Sequence, residues 1–174
     1  MSQQPLIIQL YAGTRPDGEP VYEKVAVLAM ADLPNAEQDH TAVANGYQLL
    51  HSPGFVRGIA RGDQFVLISR EAGTFKVTRR SGNLAVRVYT RMPSQALDTV
   101  LTPQVSQLNG RRDVMSERLL VYSIGLEGGF EAIEAIFDQA VSGSADASWN
   151  YGNVYDEYTG EALNWWLRKP EAPA

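Results

Sequence analysis

The chain has 174 residues, 44% of them hydrophobic, with no cysteine and a formal charge of −5. That length suits one domain of upper size or two small subdomains packed together, and the composition is not that of a disordered chain. The missing cysteines exclude a disulfide framework, a thiolate zinc site and a cysteine nucleophile, and the acidic balance argues against a general nucleic-acid binder.

Met1–Pro5 is polar and lacks the charged-then-apolar layout of a signal peptide. No apolar run reaches bilayer-spanning length, so the expectation is a cytoplasmic protein with no membrane contact.

The first half reads as strands. Leu6–Tyr11 is an apolar run, and the turn Thr14–Pro20 follows, in which Pro16 presets φ and Gly18 accepts φ > 0. Val21–Met30 returns as a β-rich stretch, predicting a hairpin. Residues 31–45 read as loop. Tyr47–His51 is a short strand ended by Ser52-Pro53-Gly54, and Arg61-Gly62-Asp63 turns into Gln64–Ser69. Ala72-Gly73 then marks a tight hairpin into Thr74–Arg80. Three such short strands need a small, strongly bent sheet or partial barrel to hide their edges.

From Ser81 the pattern changes. Leu84–Tyr89 alternates as a strand. Ser94 is placed as N-cap of a helix carrying Leu97, Val100, Leu101, Val105 and Leu108 up to Asn109-Gly110, with Pro103 predicting a kink or break near Thr102. Arg111–Met115 and Arg118–Leu126 read as strands joined at Ser116-Glu117. Gly128-Gly129 opens a second helix, with Phe130, Ile133, Ile136, Phe137 and Val141 on one stripe before Ser142-Gly143. Ala147–Tyr155 is a further strand, Asp156–Gly160 a loop, and Ala162–Leu167 a returning strand. There is no internal repeat. The predicted fold is α+β: a β-subdomain over 1–81, then a ferredoxin-like βαββαβ sheet with a C-terminal β-hairpin over 82–167, and a frayed tail over 168–174.

The segment Tyr47-x-Leu-x-x-Ser-Pro53-Gly-Phe55-x-x-Gly-Ile-Ala-x-Gly62-Asp63, with Val77-x-Arg79-x-Ser81-Gly82 and Val86-Arg87-Val88 after it, resembles an uncharacterised bacterial domain-of-unknown-function family (four-two-six-five). The likeness covers roughly residues 20–150 and leaves the aromatic tail outside. It implies a bacterial, stand-alone cytoplasmic protein and transfers no activity, since the family has no established one; its Pro53, Gly58, Gly62 and Gly82 answer backbone needs.

Chemistry-bearing motifs are scarce. His40 and His51 are the two histidines, and neither has a carboxylate at helical i+4 spacing, so no metal site is read. There is no Gly-x-Ser-x-Gly nucleophile turn. The glycines of Gly125–Gly129 precede a helix as in an anion loop, but no lysine follows and Glu127 repels phosphate. Arg61-Gly62-Asp63 is a turn. Paired carboxylates remain open, with Asp63 and the tail acids as material. No catalytic residue and no cofactor is assigned.

Two features survive. Residues 51–91 hold eight Arg or Lys against Asp63 and Glu71, a local +6 that leaves −11 elsewhere. Arg57, Arg61, Arg79, Arg80 and Arg87 within it suit anion recognition by planar guanidinium groups, although solvation of half-buried strand faces is the plainer account of such charges. The second is the tail, where all three tryptophans and three of eight tyrosines mix with acids. Trp149, Tyr151, Tyr155, Asp156, Glu157, Tyr158 and Trp166 are the candidate partner-binding residues. The plainer alternative is a hairpin that caps a core, with Trp165 and Trp166 on opposite faces.

The functional expectation is a non-catalytic protein-binding module, in particular an immunity-type inhibitor that occludes the active site of a bacterial toxin domain, steered by its acidity. The alternative is a regulator that binds RNA or a phosphorylated small molecule on the arginine face. An unrecognised enzyme stays open.

Overall fold

The computed structural model describes residues 4–32 and 46–168. The loop expected over 31–45, with His40, lies outside the described residues apart from a 3₁₀ turn at Met30–Asp32. The tail from 169 lies outside them as well. The described residues form a mixed α+β fold of two antiparallel sheets and two helices.

The first sheet holds β1 (Leu6–Thr14), β2 (Pro20–Ala29), β3 (Gly46–Leu49), β4 (Gln64–Ser69) and β5 (Thr74–Arg79), each paired with the next. The hairpin and the three short strands expected from sequence are therefore one sheet. The β1–β2 turn closes through Arg15 N–H to Glu19 O at 2.8 Å and Gly18 N–H to Arg15 O at 2.9 Å. Alternation buries Leu10, Val25, Val27, Leu49 and Phe65 on the concave face, where Val56 and Ile59 of the β3–β4 connector complete the core. The sheet bends until its two ends meet: Tyr11 N–H donates to Gly73 O at 2.9 Å. Gly73 has φ +65°, and a Cβ there would lie 2.7 Å from the Tyr11 nitrogen, so both conformation and contact demand glycine.

The second sheet has the order β7-β8-β6-β9, from β6 (Asn83–Thr90), β7 (Arg111–Met115), β8 (Leu119–Gly125) and β9 (Ala147–Tyr151). Helix α1 (Gln95–Gln107) links β6 to β7, and α2 (Phe130–Ser142) links β8 to β9. Leu84, Val86, Val88, Leu120, Tyr122 and Ile124 face the helices and pack with Leu101, Val105, Ile133 and Phe137. Each such side chain contributes about 1.5–3 kcal/mol on burial. No break occurs at Thr102: α1 runs through Pro103, which sits on its exposed side, where the carbonyl deprived of a donor faces water. Ser94 stands at the cap position, but its hydroxyl donates to Ser116 O at 2.6 Å rather than capping the helix. It ties the helix start to the β7–β8 turn instead.

The C-terminal hairpin is the main correction. β9 ends at Tyr151, not Tyr155, and residues 162–167 form no strand; Tyr155 and Ala162 share only an isolated bridge. The cause is local. Gly152 N–H still bonds Ala85 O at 2.8 Å, but then the Asn153 side chain replaces the backbone, accepting from Ala85 N–H at 3.0 Å and donating to Asn83 O at 2.9 Å. The chain thus leaves the edge. Asn164, at φ +54°, reverses it into a 3₁₀ turn over Trp165–Leu167. That turn, not a strand pleat, separates the two tryptophans: Trp165 is buried, its Nε1–H donating to Asn153 O at 2.8 Å, and Trp166 packs half-buried 5.2 Å from the Phe130 ring.

Candidate functional site

The two sheets meet through the β3–β4 connector. Glu23 on β2 accepts the amides of Gly54, Phe55 and Val56 at 2.7, 2.8 and 2.9 Å. From the other sheet Arg87 donates to the carbonyls of Pro53, at 3.2 Å, and of Val56. Arg87 is 2% exposed, and burial, opposed by Tyr89 and the Glu23 charge, lowers its pKa. An acid on one side and a guanidinium on the other thus clamp Pro53–Val56. This is why the Pro53-Gly-Phe55 turn sits where it does.

A second polar knot binds the connector to β7. A bulge between Arg112 and Val114 turns the Asp113 carboxylate fully inward. There it accepts Ser52 N–H at 2.8 Å and the Ser123 hydroxyl, which lies 2.6 Å from that of Ser52. Its other oxygen is 3.0 Å from Arg111 Nε and 3.7 Å from His51 Nδ1. Each serine bonds the carboxylate or its fellow serine rather than the imidazole, so no nucleophile relay is assembled. Among the described residues no group of three His, Asp or Glu is placed to hold a metal.

The candidate residues sort differently. Arg87 is consumed inside the clamp, and Arg61 and Arg79 lie outside the groove lining. Trp149 and Tyr151 meet edge to face, ring centroids 5.0 Å apart, and lie against α2, where Trp149 Nε1–H donates to Asp138 at 2.8 Å. The Tyr151 hydroxyl meets Glu134 at 3.3 Å, and its pKa is raised by burial and then by the Glu134 charge. Trp166 completes that aromatic row on Phe130.

The remaining six converge. Arg57, Arg80, Tyr155, Asp156, Glu157 and Tyr158 line one open groove of about 310 Å³, floored by Phe75, Val77 and Leu163. Phe75 and Val77 also touch the core of the first sheet, so the groove is a mouth of the bent sheet walled by the tail, a usual place for ligand sites. Arg80 is held rigidly there: its Nη1 donates to Gly58 O at 2.7 Å and Asp63 at 3.1 Å, and its guanidinium lies 5.5 Å from the Trp165 ring. Buried Asp63 also accepts Ser81 N–H at 2.8 Å and Ala60 N–H at 3.0 Å. Desolvation raises its pKa against the Ser81 amide and Arg80.

The opposite wall is a self-closed loop. Asp156 accepts the amides of Tyr158 and Thr159 at 2.9 Å each on one carboxylate oxygen, and its own carbonyl accepts Gly160 N–H at 2.9 Å. Those amides hold the Asp156 pKa low. The loop leaves Tyr155 52% and Tyr158 85% exposed.

Sequence reading missed Glu23, Asp113 and Asn153. Asp113 alternates like an ordinary strand residue until the bulge turns it inward, and nothing local marks Glu23 as the acceptor of amides 31 residues away.

The described residues therefore define a two-sheet α+β protein with a charged, aromatic groove. The chain belongs to the DUF4265 family, a domain of unknown function whose model matches residues 37–149. The match takes in the clamp segment, Arg57 and Arg80, and ends before Tyr155–Tyr158, so the tail wall lies outside it. No curated protein matches the sequence. Among solved structures the chain is similar to a hypothetical protein from Neisseria gonorrhoeae, described as a novel crystal structure, with a TM-score of 0.58 and 13% identity over 87% of this chain and 95% of that one. At that identity the likeness concerns the fold alone. No helix among the described residues is long and apolar enough to cross a membrane.

Proposed function

We propose that this protein is a non-catalytic protein-binding module whose docking element is the loop Tyr155–Tyr158 at the groove. The supporting observation is the exposure of two tyrosines on a turn that Asp156 already closes. Rigid aromatic anchors beside charges bind with little ordering cost, a pattern that recurs at interfaces. In its most specific form the module is an immunity-type inhibitor. The net charge of −5 steers it to a basic toxin domain, and the Tyr-Asp-Glu-Tyr loop covers the active site. We further assign the second half to the ferredoxin-like class, a reading supported by the order β7-β8-β6-β9 with both helices on one face. The RNA or phosphate alternative has less support, because Arg87 and Nη1 of Arg80 donate inward.

The test is affinity capture of the full chain from its source organism at low and high salt, with wild type beside Tyr155→Ser/Tyr158→Ser. One stoichiometric protein, retained at high salt and absent from the variant, is the expected result, and a toxin domain silenced by wild type alone identifies the inhibitor form. Recovery of RNA, or of the same protein with both chains, refutes the docking role of the loop.

A further inference from the structure

Resting on that docking reading, we propose that the groove receives the free C-terminal carboxylate of the partner chain, with an aromatic or branched last residue and basic residues just before it.

Arg80 supplies the first argument. With Nη1 engaged by Gly58 and Asp63, its Nε and Nη2 have no hydrogen-bond partner among the described residues, while its side chain stays 25% exposed on the groove wall. That free edge is a two-donor fork matched to a carboxylate, and its orientation is fixed in advance by the buried Asp63 and the Trp165 ring. Arg57, exposed on the same wall and free of acidic partners among the described residues, adds a second positive charge.

The floor supplies the second. Phe75 and Val77 are continuous with the core of the first sheet, so an apolar side chain next to the carboxylate would extend that core. The third is shape: the groove is open to solvent, which leaves a small acid largely in water but lets a chain end run out past the tail loop. There Asp156 and Glu157 repel a bare anion such as phosphate and attract lysine or arginine preceding the terminal residue. Positive and negative walls together thus describe a basic peptide that ends in an apolar acid.

The experiment is fluorescence anisotropy of a labelled peptide ending Lys-Gly-Lys-Phe, as free acid and as C-terminal amide, against the full chain, Arg57→Gln and Tyr158→Ser. Arg57 is exposed, so its substitution leaves the fold intact, and Arg80→Lys tests the fork with the charge retained. Loss of one charge-assisted hydrogen bond predicts that the acid binds about tenfold tighter than the amide, and that Arg57→Gln and Arg80→Lys each reduce this preference. If acid and amide bind alike and Tyr158→Ser weakens both, the carboxylate inference is overturned while the docking reading stands. If neither peptide binds wild type at millimolar concentration, the inference is overturned and the affinity capture alone decides the docking reading.

Discussion

Replacing Arg87 with methionine tests the clamp that joins the two sheets. Methionine keeps most of the buried stem and deletes the guanidinium, so packing changes little while the Pro53 and Val56 carbonyls lose their donor. Each buried carbonyl left unpaired costs about 1–3 kcal/mol, and Glu23, whose charge acts on Arg87, loses its counter-charge. Against this, removing a buried cation recovers part of a desolvation cost of several kcal/mol. The balance predicts a net destabilisation of roughly 2–4 kcal/mol, read as a lower urea midpoint. The loss is local in origin, so amide exchange in 53–60 should accelerate before that in β6 and β8. Glu23→Gln should cost less after Arg87→Met than alone, because the two act on one segment. A loss below about 1 kcal/mol, or unchanged exchange in 53–60, would refute the clamp.

Gly152→Ala places a Cβ 2.8 Å from Arg87 Nε and 2.9 Å from its Cζ; the guanidinium is held in place, and overpacking of about 1–3 kcal/mol is expected in urea melts. Asp98 accepts Arg112 Nη1 and the Thr102 hydroxyl at 2.6 Å each. Partial burial raises its pKa, but those bonds outweigh it and leave the value lowered from 3.8. A lowered carboxylate stabilises the fold above 3.8 and loses that contribution as pH falls through its folded value. Asp98→Asn should therefore cost about 1 kcal/mol at neutral pH, and its melting curve should converge with wild type in acid below that pKa. Trp165→Phe removes the hydrogen bond to Asn153 and replaces the indole beside Arg80 with a smaller ring, and should lower the melting midpoint, whereas Tyr158→Ser should leave it unchanged. Equal effects of the two would contradict their assignment to core and surface.

Strands, helices and turns were readable because each obeys a local rule. Apolar residues alternate from Leu84 to Tyr89, the helical stripe runs from Phe130 to Val141, and glycine stands where φ is positive at 18, 62, 73 and 82. The bend expected of the three short strands over 46–81 extends in the structure to the whole first sheet, whose first strand closes on the β4–β5 turn through Tyr11 and Gly73. The tail was not readable. Its alternation matches a hairpin, and what diverts it is an asparagine side chain at 153 standing in for backbone against β6 and a left-handed residue at 164. The candidate site divided on the same principle. Residue types in the sequence marked arginines and aromatics as material for recognition, because charge and ring chemistry are intrinsic to the side chain. Which of them face a partner was decided by tertiary structure alone: Arg87 is spent on carbonyls, Trp149 and Tyr151 on α2, and Arg57, Arg80 and Tyr155–Tyr158 are left around one groove. Exposure depends on what packs from elsewhere in the chain, and that is not written in any local pattern.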